Sequence, residues 1–324
     1  MNKAHLISWA ALVLAAISFA GFTLPDAGET VDFSKAPAPG LKFKVTVKST
    51  SESSRTMTMD ENEPVASKST VTSEQVYTQA VLKVKDSKIV KLEREYEDHS
   101  TRTVREGGRS GRRPRREGRG EAGPQERENP LAWKHIRIEW TEDEAKVTVK
   151  EDEEWTEPEG RLKRMIRPER FRSHAIPLPK ETKDVGDTWE LSEEEAKKFF
   201  KPRIRRRGGR GGRGGGGEGE EVDVDIEAEF EFADITDYKE RRCAVIKMKV
   251  TMSLGEDSTQ KTVSSGYFSL KHRIFLGIES KTTAEMKRTM ERRERTIAIE
   301  MSMEGKSTYA VKILEEEKET DEDR

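Results

Sequence analysis

Apolar and polar residues alternate along most of this chain with a period of two. In LKFKVTVKST, residues 41–50, Leu41, Phe43, Val45 and Val47 stand against Lys42, Lys44, Thr46 and Lys48. One dry edge and one wet edge on an extended segment predict a half-buried β-strand. QVYTQAVLKVK (75–85) places Val76, Ala80, Leu82 and Val84 on one parity. DSK then turns and IVKLEREYE (89–97) returns, which predicts a hairpin. HIRIEW (135–140) groups Ile136, Ile138 and Trp140, and AKVTVKE (145–151) follows a TEDE turn with Val147 and Val149 inward.

The second half keeps the style. VDVDIEAEFEF (222–232) sets Val222, Val224, Ile226, Ala228, Phe230 and Phe232 against acids. CAVIKMKVTMSL (243–254) carries Ala244, Ile246, Met248, Val250, Met252 and Leu254 on one edge. Segments near 262–270, 273–285, 295–303 and 307–314 continue the pattern. Strands with one wet face and short turns predict a mainly β fold built on antiparallel sheet. The expected architecture is a curved half-barrel or open sandwich. Helix signals are few. SEEEAKKFF (192–200) has Ser192 as N-cap with Glu195 three residues on, a capping box, and Pro202 stops it. GRLKRMIRPERF (160–171) is expected to form a turn or two of helix before Pro168.

Two stretches break the alternation. Residues 102–128 and 203–221 are rich in Gly and Arg and poor in apolar residues. Too little surface can be buried to offset the entropy of ordering, so both are expected to be disordered loops. The acidic end, EEEKETDEDR (315–324), is expected to be a disordered tail. One β domain over 40–314 follows, with two halves, 40–182 and 183–314, that open in related ways. Shared ancestry of the halves and coincidence among β patterns both account for that echo.

Composition then bounds the setting. Charged residues make up 38% of the 324 and hydrophobic ones 32%, while the net charge is only −2. The few apolar residues must therefore be concentrated on the alternating strands. The chain opens MNKAHLISWAALVLAAISFAGFTLPDAGE. Lys3, an apolar run from Leu6 to Ala20, and the small–x–small end Ser18-Phe19-Ala20 form a secretory signal over 1–20. The alternative is an uncleaved anchor, and membrane contact is expected only through this segment. Residues 21–39 are expected to be a Pro/Ala linker. Cys243 is the sole cysteine, so no intramolecular disulfide forms, and its apolar surroundings predict a packed side chain rather than a nucleophile. Export without disulfides points to a bacterial periplasm or cell surface.

Motifs for chemistry are missing. The chain has no HExxH, CxxC, phosphate loop, GxSxG or calcium-loop pattern, and no two histidines at ligand spacing, so no catalytic residue, metal site or cofactor is expected. Gly209, Gly211 and Gly214 match GxGxxG only because any glycine run does. Arg203, Arg205, Arg206, Arg207, Arg210 and Arg213 make a local positive field that suits a polyanion. Nucleic acid is the poorer fit for it. No aromatic residue interleaves for base stacking, and acids follow at Asp223, Asp225, Glu227, Glu229 and Glu231.

At PLPKETKDVGDTWEL the chain resembles a family of uncharacterised bacterial exported β-proteins, whose second half opens with a Pro-x-x-VGD-x-W-like step. Pro177, Pro179, Val185, Gly186, Asp187 and Trp189 carry the resemblance. It covers about residues 40–314, and the two Arg/Gly stretches depart from it. The family is similar to half-barrels of the lipoprotein-carrier type. That resemblance implies a curved sheet whose concave face holds acyl chains under short helices, and no residue-level site.

The leading expectation is a non-catalytic, extracytoplasmic binding protein. It would hold a lipid, another apolar ligand or an envelope protein on the concave face. The nominated residues are Phe43, Val45, Leu82, Ile138, Trp140, Phe230, Ile246 and Met248. Ordinary core packing is the competing account of each. The alternative function is an envelope structural or adhesion protein whose arginine loops grip an anionic polymer, and an enzyme stands third.

Overall fold

The computed structural model describes residues 29–60, 63–107, 125–128, 130–141, 144–166, 176–200, 224–255, 257–292 and 295–314. The signal-like segment, the run 203–221 with its six nominated arginines, most of 102–128 and the acidic tail lie outside the described residues.

The first half contains β1 (Thr30–Asp32), β2 (Lys42–Met59), β3 (Val65–Lys85), β4 (Lys88–Gly107), β5 (Gln125–Glu128), β6 (His135–Trp140), β7 (Ala145–Glu151), β8 (Glu154–Thr156) and α1 (Gly160–Met165). The second contains β9 (Thr182–Asp184), β10 (Thr188–Glu190), α2 (Glu193–Phe200), β11 (Val224–Tyr238), β12 (Arg241–Leu254), β13 (Ser258–Ser269), β14 (Phe275–Arg292) and β15 (Arg295–Ile313). Thirteen strands form one sheet ordered β10-β11-β12-β13-β14-β15-β2-β3-β4-β6-β7-β8, with β5 added beside β4. All described pairings in it are antiparallel, as the wet-faced alternation predicts. The sheet does not close: its path ends at the three-residue strands β10 and β8.

Each half is a meander, and the halves meet where the last strand pairs with the first long one, β15 beside β2, from Ile297↔Met59 to Ile313↔Phe43. Tight turns hold the meanders together. Asp86-Ser87, Asp152-Glu153 and Lys239-Glu240 are two-residue loops with positive φ at both positions, the type I′ geometry that matches strand twist.

Side chains directly opposite in the ladder share a face. One row runs Phe232, Ile246, Gly266, Ile278, Tyr309 and Val47 across six strands, and it defines the inner face. Both cores lie along it. The first packs Phe43, Val45, Tyr77, Val81, Leu92, Ile136, Ile138 and Trp140 with Leu131 and Ile166, and it draws Leu276 and Val311 from the second half. The second packs Phe230, Phe232, Ile246, Met248 and Phe268 beneath Val31, Phe33, Ile176 and Ala196. Tyr309 touches both. Tyr238 and Tyr267, on the other parity with Cys243, stack at 4.1 Å and pack with it against the first core. Gly277 lies against the Tyr238 hydroxyl, where a Cβ would collide.

Three expectations are corrected. Residues 29–33 sit in the stretch read as a linker, yet β1 pairs with β9 there, and Val31 and Phe33 are buried. Within the stretch expected to be disordered, residues 102–107 extend β4, paired with 67–72 of β3, and 125–128 form β5 against 100–103 of β4. Leu82 is 40% exposed rather than inward, and Tyr77 and Val81 are buried in its place. Both parities of QVYTQAVLKVK carry apolar residues, and register shifts at Val76/Tyr77, Val81/Lys83 and Lys83/Val84 decide between them.

Candidate functional site

Seven of the eight nominated residues are where an inward reading puts them: Phe43, Val45, Ile138 and Trp140 in the first core, and Phe230, Ile246 and Met248 in the second. They are packed against protein, so they shape the inner face rather than line an open part of it.

The inner face continues past the cores. β2, β3, β4, β14 and β15 are 18 to 21 residues long, and only one end of each reaches core residues. The next row down is Ser264, Ser280, Ser307, Ser49, Ser73 and Thr101. Below it come Thr262, Thr282, Gly305, Ser51, Val71 and Thr103. These side chains are small, and their hydroxyls bond one another: Ser264 Oγ donates to Ser280 Oγ at 2.8 Å, Ser49 and Ser73 stand 2.8 Å apart, and Thr262 and Thr282 stand 3.0 Å apart. The result is a trough in which six of ten hydroxyls pair laterally with one another.

Beyond the trough the face turns apolar again. Ile299 is buried, with Met57 opposite it on β2, and Met301 faces Met286 on β14. Met303 stands opposite Ser53, and Ile297 opposite Met59. With Met248 and Met252 on β12 and Met290 opposite Ile297, eight of the chain's ten methionines hold inner-face register positions. Met59 and Met301 are exposed, and no residue of this zone belongs to either core. Methionine is flexible and polarisable and suits surfaces that adapt to varied apolar partners.

Charge separates the two faces. The outer face carries cross-strand ion pairs such as Lys48–Glu74 (3.0 Å), Lys249–Glu229 (2.9 Å) and Lys281–Glu304 (3.0 Å). Along the rows of the trough and the methionine zone, no aspartate, glutamate or lysine holds an inner-face register position. The ionic groups on the inner face here are arginines: Arg94 at the core end, then Arg55, Arg105, Arg288, Arg292 and Arg295 by register at the far end. Arg94 bridges core and trough. Its Nε and Nη2 donate to Gln79 Oε1 at 3.0 and 2.5 Å, and its guanidinium lies 4.0 Å from the centre of the Tyr77 ring. Burial works against its charge, but Tyr77, Tyr96 and Tyr309 outweigh burial and hold its pKa above the ordinary value. Burial pushes the Tyr309 hydroxyl well up, so at neutral pH it is an uncharged hydrogen-bonding group.

Other candidates are structural. His135 shares the outer face with Arg137, as the alternation predicts, and there Arg137 Nε donates to Glu93 at 2.7 Å while the His135 ring stands 3.2 Å from the same carboxylate. The Trp155 ring closes the group, 3.9 Å from the Arg137 guanidinium. An open depression of about 500 Å³ crosses β2, β3 and β4, but six of its nine lining residues, Lys48, Thr50, Thr72, Glu74, Ser100 and Arg102, belong to the charged outer face. The VGDTWEL step is also structural. Gly186 turns with φ +97°, its N–H donates to the Phe232 carbonyl at 2.7 Å, Asp187 accepts the Asp184 N–H at 2.9 Å, and Trp189 stacks on Phe230. It pins edge strand β10 onto β11. Among the described residues no group of three potential ligands is placed to hold a metal ion.

Reading of the sequence missed the hydroxyl trough, the methionine zone and the arginines Arg55, Arg105 and Arg288. Their signal was the one-sided absence of acids: along IAIEMSMEGKSTYAV both glutamates fall on one parity and both methionines on the other.

No family model matches the chain, and no curated protein matches it. Among solved structures the chain is similar to lipovitellin, in a structure concerned with its lipid–protein interactions, at 8% identity over 85% of this chain and 25% of that one, with a TM-score of 0.41. It is also similar to the P. putida toluene transporter TodX, at 7% identity over 86% of this chain and 91% of that one, with a TM-score of 0.22. The chain thus spans about a quarter of the lipovitellin chain it matches. Likeness at these scores says nothing of what this chain binds.

Proposed function

We propose that this chain is a non-catalytic binding protein that holds an apolar or amphipathic ligand, such as a lipid, on the inner face of its open sheet. The supporting observation is the uncored part of that face: a trough of small hydroxyl residues followed by the zone of Met57, Met286, Met301, Met303 and Ile299, with no acid or lysine on either. A sheet that only needed solubility would place charge there, as the outer face does. Export through residues 1–20 is part of the same reading and would set the protein to work outside the cytoplasm.

The test is native mass spectrometry of the full chain purified from cells, followed by solvent extraction. A discrete added mass that extracts as lipid is expected. Met301→Asp with Met303→Asp should weaken its retention roughly ten-fold or more, because an apolar chain would then lie against charge. A bare protein mass, together with no uptake of lipid from vesicles, would overturn the reading.

A further inference from the structure

We infer that the inner face selects anionic phospholipid, with phosphate headgroups held along the line of Arg105, Arg55 and Arg288, each by one arginine or by two neighbours on the line. The inference rests on the apolar-ligand reading and adds the sign and place of the headgroup.

The three arginines are not scattered. Arg105 on β4 stands in the row of Ser69, Ser53 and Met303. Arg55 on β2 stands one inner-face row further on, beside Ser67 and Met301. Arg288 on β14 is one row further again, opposite Ile299. Each step crosses two strands and advances one inner-face row. At strand spacings near 4.8 Å and about 3.4 Å per residue, neighbouring arginines have Cα atoms ~12 Å apart on a diagonal line. The line enters the methionine zone at Arg55, beside Met301 and Met57, and at Arg288, opposite Ile299.

Their charges are uncompensated. All three side chains are exposed, and among the described residues none forms an ion pair. Arg55 Nη2 donates only to Met57 Sδ, at 3.9 Å. On the outer face Lys48, Lys249, Lys281 and Lys287 each have a glutamate across the strand. An acid-free row of arginines set among methionines lacks an anion and offers apolar surface next to the place where the anion would sit. Guanidinium forks suit phosphate oxygens, and the surrounding thioethers suit acyl chains. A free phosphate would use only the first of these features, and an anionic phospholipid uses both.

The probe is vesicles of equal parts phosphatidylglycerol and phosphatidylcholine, incubated with the full chain. The chain is then separated from the vesicles by flotation, and the lipid that stays with the protein is measured. The expected result is protein-bound lipid enriched in phosphatidylglycerol roughly ten-fold, given one or two charge-assisted contacts per headgroup. The triple variant Arg55→Gln, Arg105→Gln, Arg288→Gln changes exposed positions and leaves 203–221 intact. It should take up phosphatidylcholine as before and lose the preference, with its thermal unfolding unchanged. Equal uptake of both lipids by the natural chain, or a preference that survives in the variant, overturns the headgroup assignment and leaves the apolar cradle standing. Uptake of neither lipid overturns the cradle as well. Protein that floats with the vesicles but carries no lipid away overturns the assignment in favour of docking on an anionic membrane surface.

Discussion

Cys243 shows how little a residue type settles without its surroundings. It is the only thiol of the chain, it is fully buried, and its pKa is pushed up to about 11 from 9.0 chiefly by burial. A nucleophile needs the opposite shift. The consequence is a dependence of stability on alkaline pH. Above pH 9 the unfolded chain loses the thiol proton, while the folded chain keeps it until about pH 11. The unfolded state then binds fewer protons, so stability falls through that window by up to about 1.4 kcal/mol per pH unit. Burial also raises Tyr77 and Tyr309 above 10.0, which adds a second loss higher in pH. Urea midpoints measured at pH 8, 9 and 10 should therefore decline in the natural chain and decline less steeply in Cys243→Ala. Parallel declines would mean that the thiol is not the source.

Individual elements were legible in proportion to how one-sided their sequences are. VDVDIEAEFEF has acids on one parity only, and from Val224 onward β11 buries the other parity. The capping box at Ser192 forms as read, with Glu195 N–H donating to Ser192 Oγ at 3.3 Å and Ser192 N–H donating to Glu195 Oε2 at 3.4 Å. β3 was misread because both its parities are apolar and bulges choose between them. The far half of β2, SESSRTMTM, was not read as a strand at all, since serine and threonine hide the alternation that methionine and arginine carry. The turns hold a further consequence. Lys239-Glu240 closes the β11–β12 hairpin with φ of +50° and +63° on residues that carry a Cβ. Left-handed backbone costs such residues roughly 1 kcal/mol each, whereas Asn-Gly accepts it readily. Replacing the pair with Asn-Gly should raise stability by about 1 kcal/mol, read as an upward shift of the urea midpoint with an unchanged slope.

At the scale of the whole molecule the sheet depends on one seam. The two meanders, each local in sequence, are joined where β15 lies beside β2, a pairing that brings Ser302 against Ser54 across 248 residues of chain. The cores do not respect the seam: the first takes Val311 from β15, and Tyr309 touches both. Antiparallel pairing was predictable from wet-faced strands, but which strands become neighbours was not, because every long strand presents a similar edge of backbone donors and acceptors. The seam also runs through the middle of the proposed ligand face, with Ser49, Ser51 and Met57 on one side and Ser307, Gly305 and Ile299 on the other. Folding must close it late, after long-range entropy has been lost. Ser307→Pro would remove a ladder donor in the central strand and should cost about 3 kcal/mol or more, while Ser307→Ala should cost less than about 1 kcal/mol. If the seam couples the halves, the proline variant should unfold in two steps and lose lipid retention together with the first. A single transition at a lower midpoint would instead show that the shared core holds the halves together without the ladder.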